Sequence, residues 1–327
     1  MDNFTHSMAG WALGQTGLKK LTRKGLAALI LGANMPDIDV FFDWVPWAPL
    51  ATHRGFTHGL VGGVLLMPPI LAWLLWQLDK WQVRRGHAFK SGLEMHFGWL
   101  LALSYLGALT HPLLDWQNTY AVQLLSPFSN LWFHNSALFI IDVWVWTGVA
   151  FAIWLSRKRE KQQRPAWRSP PAIALTVVVA YIAVNGWIGA QARLAPTRGE
   201  PGLAPEVIIA GPQPALFWKR DVVWRTDGVI YQGTFDPFAS TRELTSWTRI
   251  GPDNMDDPVA RAALDATHPV RDFMRWSLLP MATVERGQCE ATVIYEDARY
   301  LDIPNSDSFK REVTIPVAGT GCPANAS

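Results

Sequence analysis

Charge is scarce in this chain. Only 17% of its 327 residues are charged, and the 29 basic and 27 acidic side chains nearly cancel to a formal net charge of +2. No stripe of Lys and Arg interleaved with exposed aromatics stands outside the connecting loops, which argues against a nucleic-acid surface. Cysteine is almost absent, with Cys289 and Cys322 alone. No His-Glu-x-x-His occurs, which disfavours a metalloprotease of that type. The opening Met1-Asp2-Asn3-Phe4 lacks a basic n-region, so no cleavable signal peptide is expected. What is abundant is apolar: hydrophobic residues make up 49% of the sequence and concentrate before residue 192.

A helix needs about 20 apolar residues to cross a bilayer. Leu60–Leu78, Phe97–Leu114, Ala137–Leu155 and Ala172–Ala192 meet that requirement, giving about four full spans. Phe4–Leu18 and Gly25–Met35 are apolar but short, and the basic turn 19–24 joins them. They read as a helical hairpin, either two tilted spans or a re-entrant pair. Residues 193–327 alternate short apolar stretches with Gly, Pro and Asp turns, as in Asp221–Trp224, Val229–Thr234 and Ala291–Tyr295. The expectation is an α-helical integral membrane bundle over 1–192 followed by a mostly β domain over 193–327.

Basic residues crowd the turn at 19–24, the loop holding Lys80, Arg84, Arg85 and Lys90, and the segment from Arg157 to Arg168. The intervening loops 37–57 and 117–135 contain only Arg54. The positive-inside rule therefore puts the basic loops in the cytoplasm and the C-terminal domain outside, where a Cys289–Cys322 disulfide would be stable. Trp44, Trp47, Trp116 and Trp132 fall near the outer boundary, with Trp76 and Trp81 near the inner one, as an interfacial aromatic belt requires.

The polar residues that remain share the outer face. Pro36-Asp37-Ile38-Asp39 leaves the hairpin, His53-Arg54-Gly55-Phe56-Thr57-His58 precedes one span, and His111-Pro112-Leu113-Leu114-Asp115 ends another. Such groups are costly at the end of a membrane helix unless something pairs with them, and a divalent metal suits this donor set. His111 and Asp115 are one helical turn apart, although Pro112 could start a new helical piece after a break at His111. Asp37 and Asp39 would point opposite ways in an extended segment, so one is expected as ligand and the other as support or general base. Thr57 reads as an N-cap, with His58 in the first turn and held neutral there. Arg54 is placed either to steady an anionic substrate or to reach the lipid headgroups. His6 opens the first apolar segment; His134 is equally ambiguous, and Asp142, inside a span, needs a partner.

Together the three motifs resemble the bacterial membrane-bound metal-dependent hydrolases of the YdjM type, inner-membrane proteins under LexA control. The resemblance covers about the first half of the chain, and Asp115–Leu125 followed by Ser126-Pro127-Phe128 also looks like that family. More distantly, the order His6, Asp39, His53 or His58, His111-x-x-x-Asp115 is similar to zinc-dependent phospholipases C and single-strand-specific nucleases. That likeness implies Asp39, His58, His111 and Asp115 around one ion and His6 with Asp115 around a second. The chain departs from it in two ways: Met1 precedes His6, and His134 is not followed by an Asp or Glu four residues on, since Leu138 stands there.

These readings give one or two divalent ions, zinc preferred and manganese compatible, held among His6, Asp39, His53, His58, His111 and Asp115. Asp37 and Arg54 are then the catalytic candidates. The expected protein is a membrane-bound hydrolase of the bacterial inner membrane, acting at the lipid interface on a phosphoester such as a headgroup. The alternative is a scaffold or sensor with a structural metal and a ligand- or partner-binding external domain.

Overall fold

A computed structural model of the protein describes residues 1–42, 53–199, 202, 204–239, 243–301 and 307–317. Trp44, Trp47 and Cys322 lie outside them. The chain forms two compact units, one of residues 1–42, 53–187 and 211–217 and the other of 43–52, 188–210 and 218–327.

The first unit is helical. Asp2 caps α1 (Asn3–Gln15), accepting from the amides of Phe4 and Thr5 at 3.0 Å each. A basic turn leads into α2 (Gly25–Asn34), which runs on into a 3-10 segment, Met35–Phe42. A π-helical stretch, Leu60–Leu66, opens into α3 (Met67–Arg84), followed by α4 (Phe97–Asp115), α5 (Val143–Lys161) and α6 (Ser169–Arg193). Among the described residues three helical stretches, Leu60–Arg84, Phe97–Asp115 and Pro165–Gly199, are long and apolar enough to cross a membrane. Their outward side chains, such as Val179 at 67% exposure, are the apolar surface that lipid would cover. The expected span over Ala137–Leu155 becomes helical only at Val143 and ends in a basic turn of Lys158, Arg159 and Lys161. Asp142 caps this helix through the amides of Trp144 and Val145 and accepts from Tyr181 Oη at 3.1 Å. It is a helix cap, and Tyr181 is the partner that its burial requires.

Close helix contact sets the geometry of this unit. A Cβ at Gly10 on α1 or at Gly107 on α4 would stand 2.5 Å from the carbonyl oxygen of Leu29 on α2. Glycine at both positions lets α2 lie pinched between α1 and α4, the small-residue packing typical of membrane helices. Ala28, Leu29, Leu71, Leu100 and Leu103 bury the contact of α2 with α3 and α4. Met8, Ala12, Val145, Val149 and Ile153 join α1 to α5. At the basic end, Arg23 holds the buried Asp79 by two hydrogen bonds of 2.7 Å. That bidentate pair ties the α1–α2 turn to α3.

Helix α4 is continuous through Pro112, with no break at His111. Proline removes one amide donor, and the ladder resumes with the Trp116 amide on the Pro112 carbonyl at 2.9 Å. His111 and Asp115 therefore keep one face.

The second unit is mostly β, with a short helix α7 (Ala195–Gly199) near its start. Strands β1 (Val207–Pro212), β2 (Arg220–Thr226), β3 (Val229–Phe235) and β4 (Ser246–Pro252) form one sheet in that order. Asp227 and Gly228, both at positive φ, make the two-residue turn that the twist of the β2–β3 hairpin favours. Helices α8 (Pro258–Ala263) and α9 (His268–Trp276) precede an antiparallel sheet of β5 (Pro280–Arg286), β6 (Glu290–Asp297) and β7 (Lys310–Pro316). Trp224, Phe273, Trp276 and Tyr295 fill the core of this unit.

Gly107→Ala tests the helix crossing. In an open helix the change stabilises by up to about 1 kcal/mol. Against Leu29 it should instead destabilise the unit by about 1–3 kcal/mol, seen as a lower thermal midpoint in detergent. An unchanged or higher midpoint would show that the close approach does not constrain the helices.

Candidate metal centre

The glycine crossing also sets the centre. His6 lies one turn before Gly10 on α1, and His111 one turn after Gly107 on α4. Both point past the end of the crossing, and their rings stack with centroids 3.8 Å apart. Ala33, one turn beyond Leu29, accepts from His111 Nδ1 at 2.6 Å. That bond fixes the tautomer and leaves the Nε2 lone pair facing inward.

Asp115 is the common partner. Its Oδ1 is 3.4 Å from His6 Nε2 and 3.3 Å from Arg54 Nη2, and the α-amine of Met1 lies against it. Its Oδ2 is 3.4 Å from both His58 Nε2 and His111 Nε2. Asp37 Oδ1 completes the inner set, 3.2 Å from His58 Nε2 and 3.3 Å from His111 Nε2. His6, His58, His111 and Asp115 are fully buried.

Asp39 and His53 form the outer edge, their Oδ1 and Nδ1 3.0 Å apart. Thr57 Oγ1 donates to Asp39 Oδ2 at 2.7 Å, and His58 Nδ1 is 3.5 Å from the same oxygen. Thr57 is thus not a helix cap. Phe56–His58 is a 3-10 turn, and Gly59, in extended conformation, precedes the next helical stretch. Nor are Asp37 and Asp39 on opposite sides of an extended strand. In the 3-10 segment residues two apart are turned by about 120° from each other, so both carboxylates reach His58 from different sides. His134 bonds Ser136 at 2.9 Å and is in none of the metal-like groups found among the described residues.

Burial works against charge on Asp37, yet the neighbouring His111 and His58 outweigh it and hold this carboxyl well below the usual range. Asp39 is lowered in the same way, burial being outweighed by His53 and His58. Burial also lowers His58, to about 4, against the pull of the Asp37 hydrogen bond. Ionised carboxylates beside a neutral imidazole are the protonation states that bind a metal.

Among the described residues three groups could each gather on an ion, with ligand atoms within 4.8 Å of one another: His6–His111–Asp115, Asp37–His58–His111 and Asp39–His53–His58. His6 Nε2, His111 Nε2 and Asp115 Oδ2 stand at ion-pair distance but lack an aligned hydrogen bond, and Asp37 Oδ2 has no hydrogen-bond partner. Buried polar atoms are seldom left so, and lone pairs that converge without a shared proton fit a cation. The residues present therefore fit a divalent metal.

Asn118, which the sequence reading passed over, is also here: buried, with Oδ1 accepting from Arg54 Nη1 at 2.9 Å. Its spacing of three from Asp115, after the four from His111, extends the same face and is the signal that could have flagged it.

The fold and the centre define a protein with helices long and apolar enough to cross a membrane and a buried cluster of His and Asp side chains that could hold a metal. The chain belongs to the YdjM inner membrane protein family, whose profile matches residues 1–192. No curated protein and no solved structure shows significant similarity to it.

Asp115 faces more of the cluster than any other side chain described above. Asp115→Asn should cut bound metal at least tenfold with membrane insertion intact, read by elemental mass spectrometry on protein purified in detergent. Full occupancy in that variant would remove Asp115 from the ligand set.

Proposed function

We propose that the protein is a metal-dependent hydrolase acting on a phosphoester, such as a lipid headgroup, at the outer face of the inner membrane. The carrying observation is the convergence of buried imidazole and carboxylate groups from α1, α4 and the two segments 35–42 and 56–58, with atoms of His6, Asp37, His111 and Asp115 lacking a hydrogen-bond partner. His6, Asp37, His58, His111 and Asp115 would hold zinc, or manganese, as one or two ions. When bound, such a cation supplies Lewis acidity at an ester oxygen and makes water a stronger acid.

The outer edge is where substrate would arrive, because His53 and Asp39 keep 24% and 11% side-chain exposure while the inner ligands are sealed. Asp39 orients His53 through the 3.0 Å contact, and His53 is the proton acceptor for attacking water in this scheme. Asp37, expected from the sequence as a candidate base, is better suited to holding a cation, since its carboxyl is held strongly ionised. Arg54 steadies the developing negative charge on the phosphoryl group. The positive-inside rule supports an outward centre and an extracytoplasmic C-terminal domain.

A structural metal under a working external domain is the second reading, favoured by the complete burial of His6, His58, His111 and Asp115. Variants separate the two. His53→Ala should keep its metal and lose at least a hundredfold in hydrolysis of phospholipids or aryl phosphoesters, whereas His111→Ala should lose both. Metal-replete wild-type protein inert across such a panel would favour the structural reading. Reporter fusions at Gly86 and Thr119 should report cytoplasmic and external positions, and the reverse pattern would overturn the orientation.

A further inference from the structure

Two buried donors beside the metal candidates have no acceptor. Arg54 is 3% exposed and sits at φ +67°, a left-handed conformation unfavourable for a non-glycine residue. The surroundings hold it there: its amide meets Asp39 Oδ2 at 3.4 Å and its carbonyl accepts from the Gln123 amide at 3.0 Å. The guanidinium is likewise fixed. Nη1 donates to Asn118 Oδ1, Nη2 approaches Asp115 Oδ1 and, at 3.5 Å, the Met1 carbonyl, and Tyr120 covers the group with its ring centroid 4.6 Å away. Nε has no hydrogen-bond partner.

Asn118 is 1% exposed. Its Oδ1 accepts twice, from Arg54 Nη1 and from the Tyr120 amide, both at 2.9 Å. Those two donors determine the orientation of the amide, because a flip would set its NH2 against two N–H groups. Nδ2 is therefore a fixed donor, and it too is buried without an acceptor. Buried donors are seldom left unpaired. Asp39, the carboxylate beside the Arg54 amide, is engaged with His53 and Thr57.

The structure assigns Arg54 and Asn118 to an oxyanion subsite that takes the non-bridging oxygens of a phosphoryl group, with Arg54 Nε and Asn118 Nδ2 as its donors. This deepens the hydrolase reading by naming where the substrate's anionic group sits and by adding Asn118 as a binding residue. A phosphoryl group fits because it offers several anionic oxygens to one guanidinium, one amide and a neighbouring cation. Free phosphate and a phosphomonoester lipid headgroup share that chemistry.

The test is Asn118→Asp, which keeps the Oδ1 acceptor and the side-chain shape but replaces the Nδ2 donor with an anionic oxygen. Binding of inorganic phosphate is measured calorimetrically, and binding of phosphatidic acid in nanodiscs is measured against phosphatidylcholine alone, each with and without added zinc. Metal content is read in parallel, and Arg54→Lys, which keeps the charge but loses Nε, serves as a second variant.

The expected result is at least tenfold weaker phosphate binding in both variants with metal content unchanged. Loss confined to the nanodisc arm supports the subsite with a lipid headgroup as its source, and loss in the free-phosphate arm supports it with a soluble one. Wild-type affinity in Asn118→Asp, or no phosphoryl binding by wild type in either arm, would overturn the subsite. So would loss of metal from Asn118→Asp, since Asn118 would then belong to the metal site. Phosphate bound without any metal, and weakened by both variants, would instead sink the hydrolase reading and leave the subsite standing.

Discussion

The carboxylate of Asp115 is the group on which the membrane unit turns. It is fully buried at the end of an apolar helix, where an uncompensated charge would cost several kcal/mol. The fold answers by bringing His6, Arg54, His58 and His111 to within 3.3–3.4 Å of it from separate segments of the chain. Few of these contacts are aligned hydrogen bonds, so the carboxylate is surrounded without being fully satisfied. A divalent cation would resolve that imbalance, and function follows from the same demand that stability makes.

The arrangement depends on backbone distance. Because Gly10 and Gly107 carry no side chain, α1 and α4 both close on the Leu29 carbonyl of α2, and the histidines one turn away come into ring contact. The polar centre is built on rigid helices at that point, and the segments 35–42 and 53–58 bring the remaining donors to it. Groups held this way need little reorganisation to bind a ligand.

Much of this was legible in the sequence, and the failures have physical causes. Long apolar runs and Gly, Pro and Asp turns revealed a helical part and a β part, with β2, β3 and β6 lying where alternation placed strands. The three polar motifs stood out because charge is so rare around them. Geometry inside the motifs did not show. A 3-10 segment and an extended one share the same composition, so the facing of Asp37 and Asp39 was misread. Thr57 has the chemistry of a cap, but its hydroxyl serves Asp39 instead. Pro112 suggested a break, while tertiary packing keeps α4 continuous. Asn118 was missed because an amide in a polar loop looks ordinary until its buried partners are known.

The central claim is that the buried cluster is a divalent metal centre, and X-ray absorption at the zinc edge of the reconstituted protein tests it most directly. The account predicts a sulfur-free shell of nitrogen and oxygen at about 2.0–2.1 Å, with outer-shell scattering from at least two imidazoles. A shell of oxygens without imidazole scattering would mean adventitious surface binding and would contradict the account.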